Sequence, residues 1–175
     1  MNEDVKYIMA TTSTSAHLKT AIFLLLAMIV TVGSALGFQY IGGYLPCKLC
    51  LEQRYPYYAG IPLMALAVAS SSLKWPAGLT RLLLALGGIL MLIGLGLAIF
   101  HAGVEWKFWA GPTDCTAVSM SITTDAGNLL NDMNAVHPPA CDTAALRVLG
   151  LSFAGWNAIA SLVLMTVAFR GARKA

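Results

Sequence analysis

Charge is what this chain lacks. Of its 175 residues only 11% are charged, where a soluble domain carries roughly 25%, while 58% are hydrophobic. The mean hydropathy of +0.71 agrees. That shortage excludes a disordered chain, a nucleic-acid-binding module and an ordinary cytosolic enzyme. A net charge of +3, scattered along the sequence, makes no phosphate-binding surface. Phosphate-cradling glycine patterns, internal repeats and a separate soluble segment are also missing. These absences describe a membrane protein.

The few charges show how the chain is threaded. Uncharged intervals of 28, 19, 23 and 22 residues follow Lys19, Arg54, Arg81 and Arg147. A hydrocarbon core about 30 Å thick needs roughly 20 apolar residues of helix, so each interval can span it. The interval after Arg54 is the shortest and contains Pro56 and Pro62. The runs are continuous rather than alternating, which excludes barrel strands. The expected fold is therefore all-α, an integral membrane four-helix bundle in one domain, with spans near 20–41, 55–73, 82–102 and 148–169.

Orientation follows from the basic residues. Lys6, Lys19, Lys74, Arg81, Arg170, Arg173 and Lys174 fall on the side that holds both termini. Lys48, Arg54, Lys107 and Arg147 fall on the other side, along with six of the eight acids. The positive-inside rule puts the termini in the cytoplasm and the loops near 42–54 and 103–147 outside. The first apolar run continues through Phe38, Tyr40 and Ile41, beyond a 7–15-residue signal core, so it is expected to stay uncleaved. The span interiors hold no acidic or basic residue, which argues against a proton pump or ion transporter.

All four cysteines, Cys47, Cys50, Cys115 and Cys141, lie in the outward loops. Disulfides are allowed there if that side is a periplasm or its equivalent. Two structural disulfides are one reading, and for Cys115 and Cys141, 26 residues apart, it competes well. For Cys47-Lys48-Leu49-Cys50 it is weaker, because closing so small a loop constrains the unfolded chain little. A zinc site would show two close pairs, and covalent haem attachment needs His where Leu51 stands. No metal is expected. Two dithiols on one face of a membrane point to redox chemistry.

Cys47 and Cys50 precede the second span, near the start of a helix, and a helix N-terminus or a nearby cation favours thiolate over thiol. Arg54 lies four residues after Cys50. It can snorkel to the headgroups, or it can stabilise a thiolate and an anion beside it. His101, at the outer end of the third span, can likewise solvate a helix end or serve a bound group, with Glu105 four residues on to orient it. His17 and His137 are expected at the surface. Tyr40, Tyr44, Tyr55, Tyr57, Tyr58, Trp106, Phe108, Trp109 and Trp156 are expected as a belt at the outer boundary. Leu129, Leu130, Met133 and Val136 suggest a short helix lying on the membrane surface. Gly87, Gly88, Gly94 and Gly96 suit close helix packing in the third span.

Cys47-Lys48-Leu49-Cys50 with Arg54, then His101-Ala102-Gly103-Val104-Glu105-Trp106, Gly111-Pro112 and Cys115, resemble the disulfide bond formation protein B family, DsbB. Cys141 leading into Gly150-Leu151-Ser152 and Gly155-Trp156-Asn157 is similar to that family too. The resemblance runs from the first span to the fourth. The vitamin K epoxide reductase-like family places its loop cysteines before the CxxC and matches less well.

The DsbB resemblance implies a thiol:quinone oxidoreductase of a bacterial inner membrane, its active site facing the periplasm. The DsbA–DsbB–quinone relay is known to keep that compartment oxidising. On this chain, a DsbA-type thioredoxin-fold periplasmic oxidase would reduce a Cys115–Cys141 disulfide, with Cys115 forming the mixed disulfide. Electrons would pass to Cys47–Cys50. Cys50 would then deliver them to a quinone from the membrane pool, ubiquinone favoured over menaquinone. Arg54 would stabilise the Cys50 thiolate and the reduced quinone, and His101 would lie near the quinone. Two alternatives remain at this level: a membrane dithiol reductase running electrons outward, and a non-enzymatic scaffold with structural disulfides.

Overall fold

A computed structural model describes residues 3–112 and 140–173, with side chains from residue 15 onward. Cys115, His137 and the expected surface helix near 129–136 lie outside the described residues. The chain is predominantly helical. Helix α1 runs Glu3–Tyr40, the short α2 Lys48–Glu52, α3 Tyr55–Ser72, α4 Ala77–Glu105 and α5 Phe153–Arg173. Strands β1 (Arg147–Val148) and β2 (Leu151–Ser152) pair antiparallel, Arg147 opposite Ser152 and Val148 opposite Leu151.

Each long helix buries one stripe at helical spacing and leaves the rest apolar and exposed. In α1 the stripe is Ala21, Leu24, Met28 and Val32; in α4 it is Leu84, Met91, Ala98 and His101. Around them Phe23, Leu26, Val30, Leu66, Leu82, Leu92, Ile93 and Ile99 are each about half exposed or more. An apolar surface this extensive is a lipid-facing one in a helical membrane protein. Among the described residues, three helices, counting α1 from Ser15, are long and apolar enough to cross a bilayer: Ser15–Tyr40, Ala77–Glu105 and Phe153–Arg173. Helix α3, with Pro62 inside it and Ser70, Ser71 and Ser72 at its end, is helical but does not join that set.

The packing order is a ring in which α1 touches α3 and α5, and α4 touches the same two. The diagonal pair α1 and α4 barely meets. Close approach depends on small residues in α4: a Cβ on Gly87 would lie 2.6 Å from Met64 Cε, and one on Gly88 would lie 2.9 Å from the Phe169 ring. Gly96, expected to share this role, faces open space.

Three other expectations change. The chain before α5 is a hairpin at 147–152 rather than the start of a span. Its tip uses Leu149 (φ 54) and Gly150 (φ 82), the two positive φ values of a type I′ turn. Tyr57 is no boundary anchor; it is 2% exposed and points into the bundle. His17 is 1% exposed, because α1 extends well beyond Lys19 towards the N-terminus and carries it against the bundle.

Candidate functional site

Everything chemically distinctive gathers at one end of the bundle, and local structure explains how. Cys47 is extended (ψ 171) and caps α2; its sulfur accepts the backbone N–H of Cys50 at 3.3 Å. A residue at the cap and one three further along face each other across the first turn. Their Sγ atoms lie 2.9 Å apart, both as free thiols. Helix α2 stops at Glu52, Gln53 and Arg54 form a turn, and α3 starts at Tyr55 with Pro56 in its first turn, where proline suits a helix. The CxxC thus sits on its own short helix, joined to α3 by that turn.

Two sulfurs this close share one proton once the first is lost. The geometry favours Cys47 for the remaining charge, since its sulfur accepts the Cys50 backbone N–H and faces His101. The hydrogen bond with Cys50, then the neighbouring His101, hold its pKa below the ordinary thiol value against the opposing effect of burial. Cys50 is pushed the opposite way by its bond to Cys47, by burial and by the Cys47 charge. The resemblance had implied a Cys50 thiolate. In this dithiol the capping position and His101 favour Cys47 instead.

His101 reaches the site from the last turns of α4. Its Nε2 lies 3.6 Å from Cys47 Sγ and 3.8 Å from Glu105 Oε1, so Glu105 does face the imidazole from one turn on. Its Nδ1 lies 2.6 Å from Gln53 Nε2. Beyond Gln53 the buried polar groups continue. Asn157 Nδ2 donates to Gln53 Oε1 at 2.6 Å, and Tyr57 OH donates to Asn157 Oδ1 at 2.6 Å and meets Ser161 Oγ at 3.0 Å.

On the other side of α2 the same region opens into a cavity of about 360 Å³. Its walls come from α1 (Val30, Ala35, Phe38), α5 (Phe153, Ala154, Ala160) and the chain before α2 (Leu45, Pro46). Cys50, Gln39, Gln53, Arg54, Tyr57 and Asn157 supply its polar groups. Arg54 Nη1 donates to Gln39 Oε1 at 2.6 Å, which fixes the guanidinium against α1. Cys50 and Arg54 border this cavity, whereas His101 does not; it packs against Cys47, on the dithiol's other face.

The remaining described cysteine arrives from the far side. Cys141 is disulfide-bonded and 1% exposed, buried in one cluster with Cys47, Leu49 and Val104. Nearby, Lys107 pairs with Asp142 and lowers the pKa of that carboxyl, tying the end of α4 to the segment after Cys141. Arg147 lies over the Trp106 ring, 6.0 Å from its centroid. Among the described residues, Cys47, Cys50 and His101 are the group whose sulfur and nitrogen atoms come closest together, within 4.8 Å of one another.

Sequence reasoning missed Gln53 altogether and took Tyr57 for an anchor. The signal was present as two polar pairs at i, i+4, Gln53 with Tyr57 and Asn157 with Ser161, each placed where an apolar span begins. Polar groups there need partners from facing helices.

Comparison with known proteins agrees with the geometry. Disulfide bond formation protein B of Ralstonia nicotianae (strain ATCC BAA-1114 / GMI1000) is 45% identical over 94 residues, which is 53% of this chain and 53% of that protein. The matched chain thus spans about half the length of that relative. No solved structure matches. The family model described as disulfide bond formation protein DsbB matches residues 18–170. With that match covering nearly all of the sequence, the chain belongs to the DsbB family.

Proposed function

We propose that this protein is a membrane thiol:quinone oxidoreductase that reoxidises a DsbA-type periplasmic dithiol oxidase and so supports disulfide bond formation. The observation that carries the reading is the position of the Cys47–Cys50 dithiol between two partners. Cys141, already in a disulfide, is buried in the same cluster as Cys47, while Cys50 borders an apolar cavity. Cys115 is the partner we assign to Cys141. In this reading the four long helices, α1, α3, α4 and α5, cross a bacterial inner membrane, the termini lie in the cytoplasm, and the dithiol faces the periplasm.

The cavity suits a quinone by the chemistry of its lining. Apolar walls from α1 and α5 match a ring and its isoprenoid tail, and Arg54, Gln39, Gln53 and Asn157 offer hydrogen bonds to ring oxygens. When bound there, a quinone supplies a lipid-soluble acceptor for two electrons and two protons. Ubiquinone is the favoured one.

The chain's own residues then have defined tasks. A partner dithiol reduces Cys115–Cys141, becoming a disulfide itself, and the new thiols reduce the oxidised form of Cys47–Cys50 by exchange. The reduced pair holds its charge on Cys47, whose sulfur is 2.9 Å from Cys50 and placed to close the disulfide. Closure of this thiolate–thiol pair releases two electrons and the Cys50 proton on the side of Cys50; the other proton has already left to solvent when Cys47 ionised. Arg54, held by Gln39, keeps a positive charge at the cavity wall for whatever anion develops there.

Purified protein in detergent, given a reduced DsbA-type partner and ubiquinone, tests this through quinone absorbance. Quinone loss matched by partner oxidation, and abolished in Cys50→Ser, is expected. No turnover with ubiquinone or menaquinone, with both disulfides resisting reduction, overturns it in favour of a scaffold.

A further inference from the structure

We infer that Gln53 and Asn157 are positioning residues, forming with Tyr57 a hydrogen-bonded chain along the cavity wall that holds His101 in the tautomer with its proton on Nε2, facing the Cys47 sulfur.

The argument starts at the far end of the chain. Tyr57 OH gives its proton to Asn157 Oδ1, and Ser161 Oγ stands 3.0 Å from the same phenol to return one. With Oδ1 accepting, Asn157 turns Nδ2 to Gln53 and donates to Oε1. With Oε1 occupied, Gln53 turns Nε2 to His101, 2.6 Å from Nδ1. An amide nitrogen only donates, so Nδ1 must present its lone pair. The proton of the neutral ring is then on Nε2, which lies 3.6 Å from Cys47 Sγ.

The selection is cooperative. Each amide has one donating and one accepting end, so turning either alone sets donor against donor or acceptor against acceptor. Gln53 is 5% exposed, Tyr57 and His101 2% and Ser161 0%, so a mismatch at the Gln53–His101 end meets little water, while Asn157 is half-buried at the cavity wall. Only a joint turn of both amides restores the bonds, and that turn brings Oε1 to Nδ1 and the lone pair of Nε2 to the sulfur. A lone pair facing a thiolate repels it; an N–H facing it is a hydrogen bond. The groups facing Cys47 are Cys50 from α2 and His101 from α4, with Glu105 behind. Glu105 Oε1, 3.8 Å from Nε2, is beyond hydrogen-bond distance, but an oxygen facing that nitrogen favours an N–H there over a lone pair.

Helix α5 thus reaches the dithiol through Asn157 and Gln53, setting which face of the imidazole Cys47 meets. The inference rests on reading Cys47–Cys50 as the redox dithiol. Its test reads the ring and the thiolate rather than turnover, so its failure is separable from failure of the proposed reaction.

Reduced protein carrying nitrogen-15 histidine gives ring shifts that distinguish the tautomers, with His101 assigned by the signal lost in His101→Leu. The expected result is the Nε2–H pattern in the native protein. In Asn157→Leu the Gln53 amide loses the partner that holds its polarity, so Nδ1–H signals join and the Cys47 thiolate titration moves to higher pH. Gln53→Met removes the donor to Nδ1 directly and provides the same comparison if Asn157→Leu does not fold. An Nδ1–H pattern in the native protein overturns the inference. So does an undisturbed Nε2–H pattern, with an unmoved titration, in the variants that fold.

Discussion

Replacing His101 by leucine isolates the largest side-chain contribution from outside the dithiol to the Cys47 thiolate. Leucine fills a comparable volume but has no N–H, and the site is 2% exposed, so little water replaces the lost donor. A hydrogen bond to a charged group contributes about 1.5–3 kcal/mol. At 3.6 Å the nitrogen stands towards the long end for a sulfur acceptor, which argues for the lower figure. At about 1.4 kcal/mol per pKa unit, the Cys47 midpoint should rise by roughly one unit. Gln53 Nε2 loses its acceptor in the same variant, so a stability loss of about 1–3 kcal/mol should accompany the shift. The assay is the ultraviolet absorbance of thiolate against pH in the reduced protein, paired with alkylation rates at each pH. Thermal unfolding confirms that the variant is folded. A midpoint that stays in place or falls in a folded variant would refute the reasoning, because the Cys47 charge would then owe nothing to the imidazole.

Other expectations can be checked by simpler means. Because folding depresses the Cys47 pKa, its contribution to stability is complete above the unfolded value, about 8.5, and is lost as pH falls below it; unfolding of the reduced protein should show that slope from about pH 8 downward and the oxidised protein should lack it. Tyr57→Phe removes two buried hydrogen bonds and should cost about 1–3 kcal/mol in chemical unfolding, where a boundary anchor would lose almost nothing. Gly103→Ala places a Cβ 2.0 Å from the Trp109 ring, so Trp109 must leave its bond to Phe100 O, visible as a change in tryptophan fluorescence. Leu149→Asn relieves a left-handed leucine at the hairpin tip and should raise stability by about 1 kcal/mol, measured by thermal unfolding.

Charge spacing alone made the long helices legible, since a run of about twenty uncharged residues has few other uses. Helix α3 shows where that reasoning thins: an interval of sufficient length between Arg54 and Lys74 says nothing of the prolines and serines that dilute it. The cysteines and Arg54 were legible from motif and order. Their detailed relations were not, because they depend on contacts between distant segments. Cys47 meets His101 across 54 positions, and Gln53 meets Asn157 across 104. No local pattern states that Arg54 reaches back to Gln39, or that the cavity falls beside Cys50 and away from His101. The hairpin before α5 was hidden because its tip begins with leucine rather than the asparagine or glycine that signals such a turn.

The modest apolarity of α3 has a consequence for biosynthesis. In the four-span topology this segment must enter the bilayer, yet it carries two prolines, ends in three serines and lacks the hydrophobic reserve of its neighbours. Only three residues, Leu73, Lys74 and Trp75, and the capping Pro76 separate it from α4, the helix with the highest mean hydropathy of the three candidate spans. Across that turn Ser70 Oγ and Thr80 Oγ1 meet at 2.9 Å, so a hydroxyl that would be stranded in lipid is paired as soon as both segments exist. If α3 spans, as the proposed topology requires, the unit that partitions from the insertion machinery is the α3–α4 hairpin rather than α3 alone.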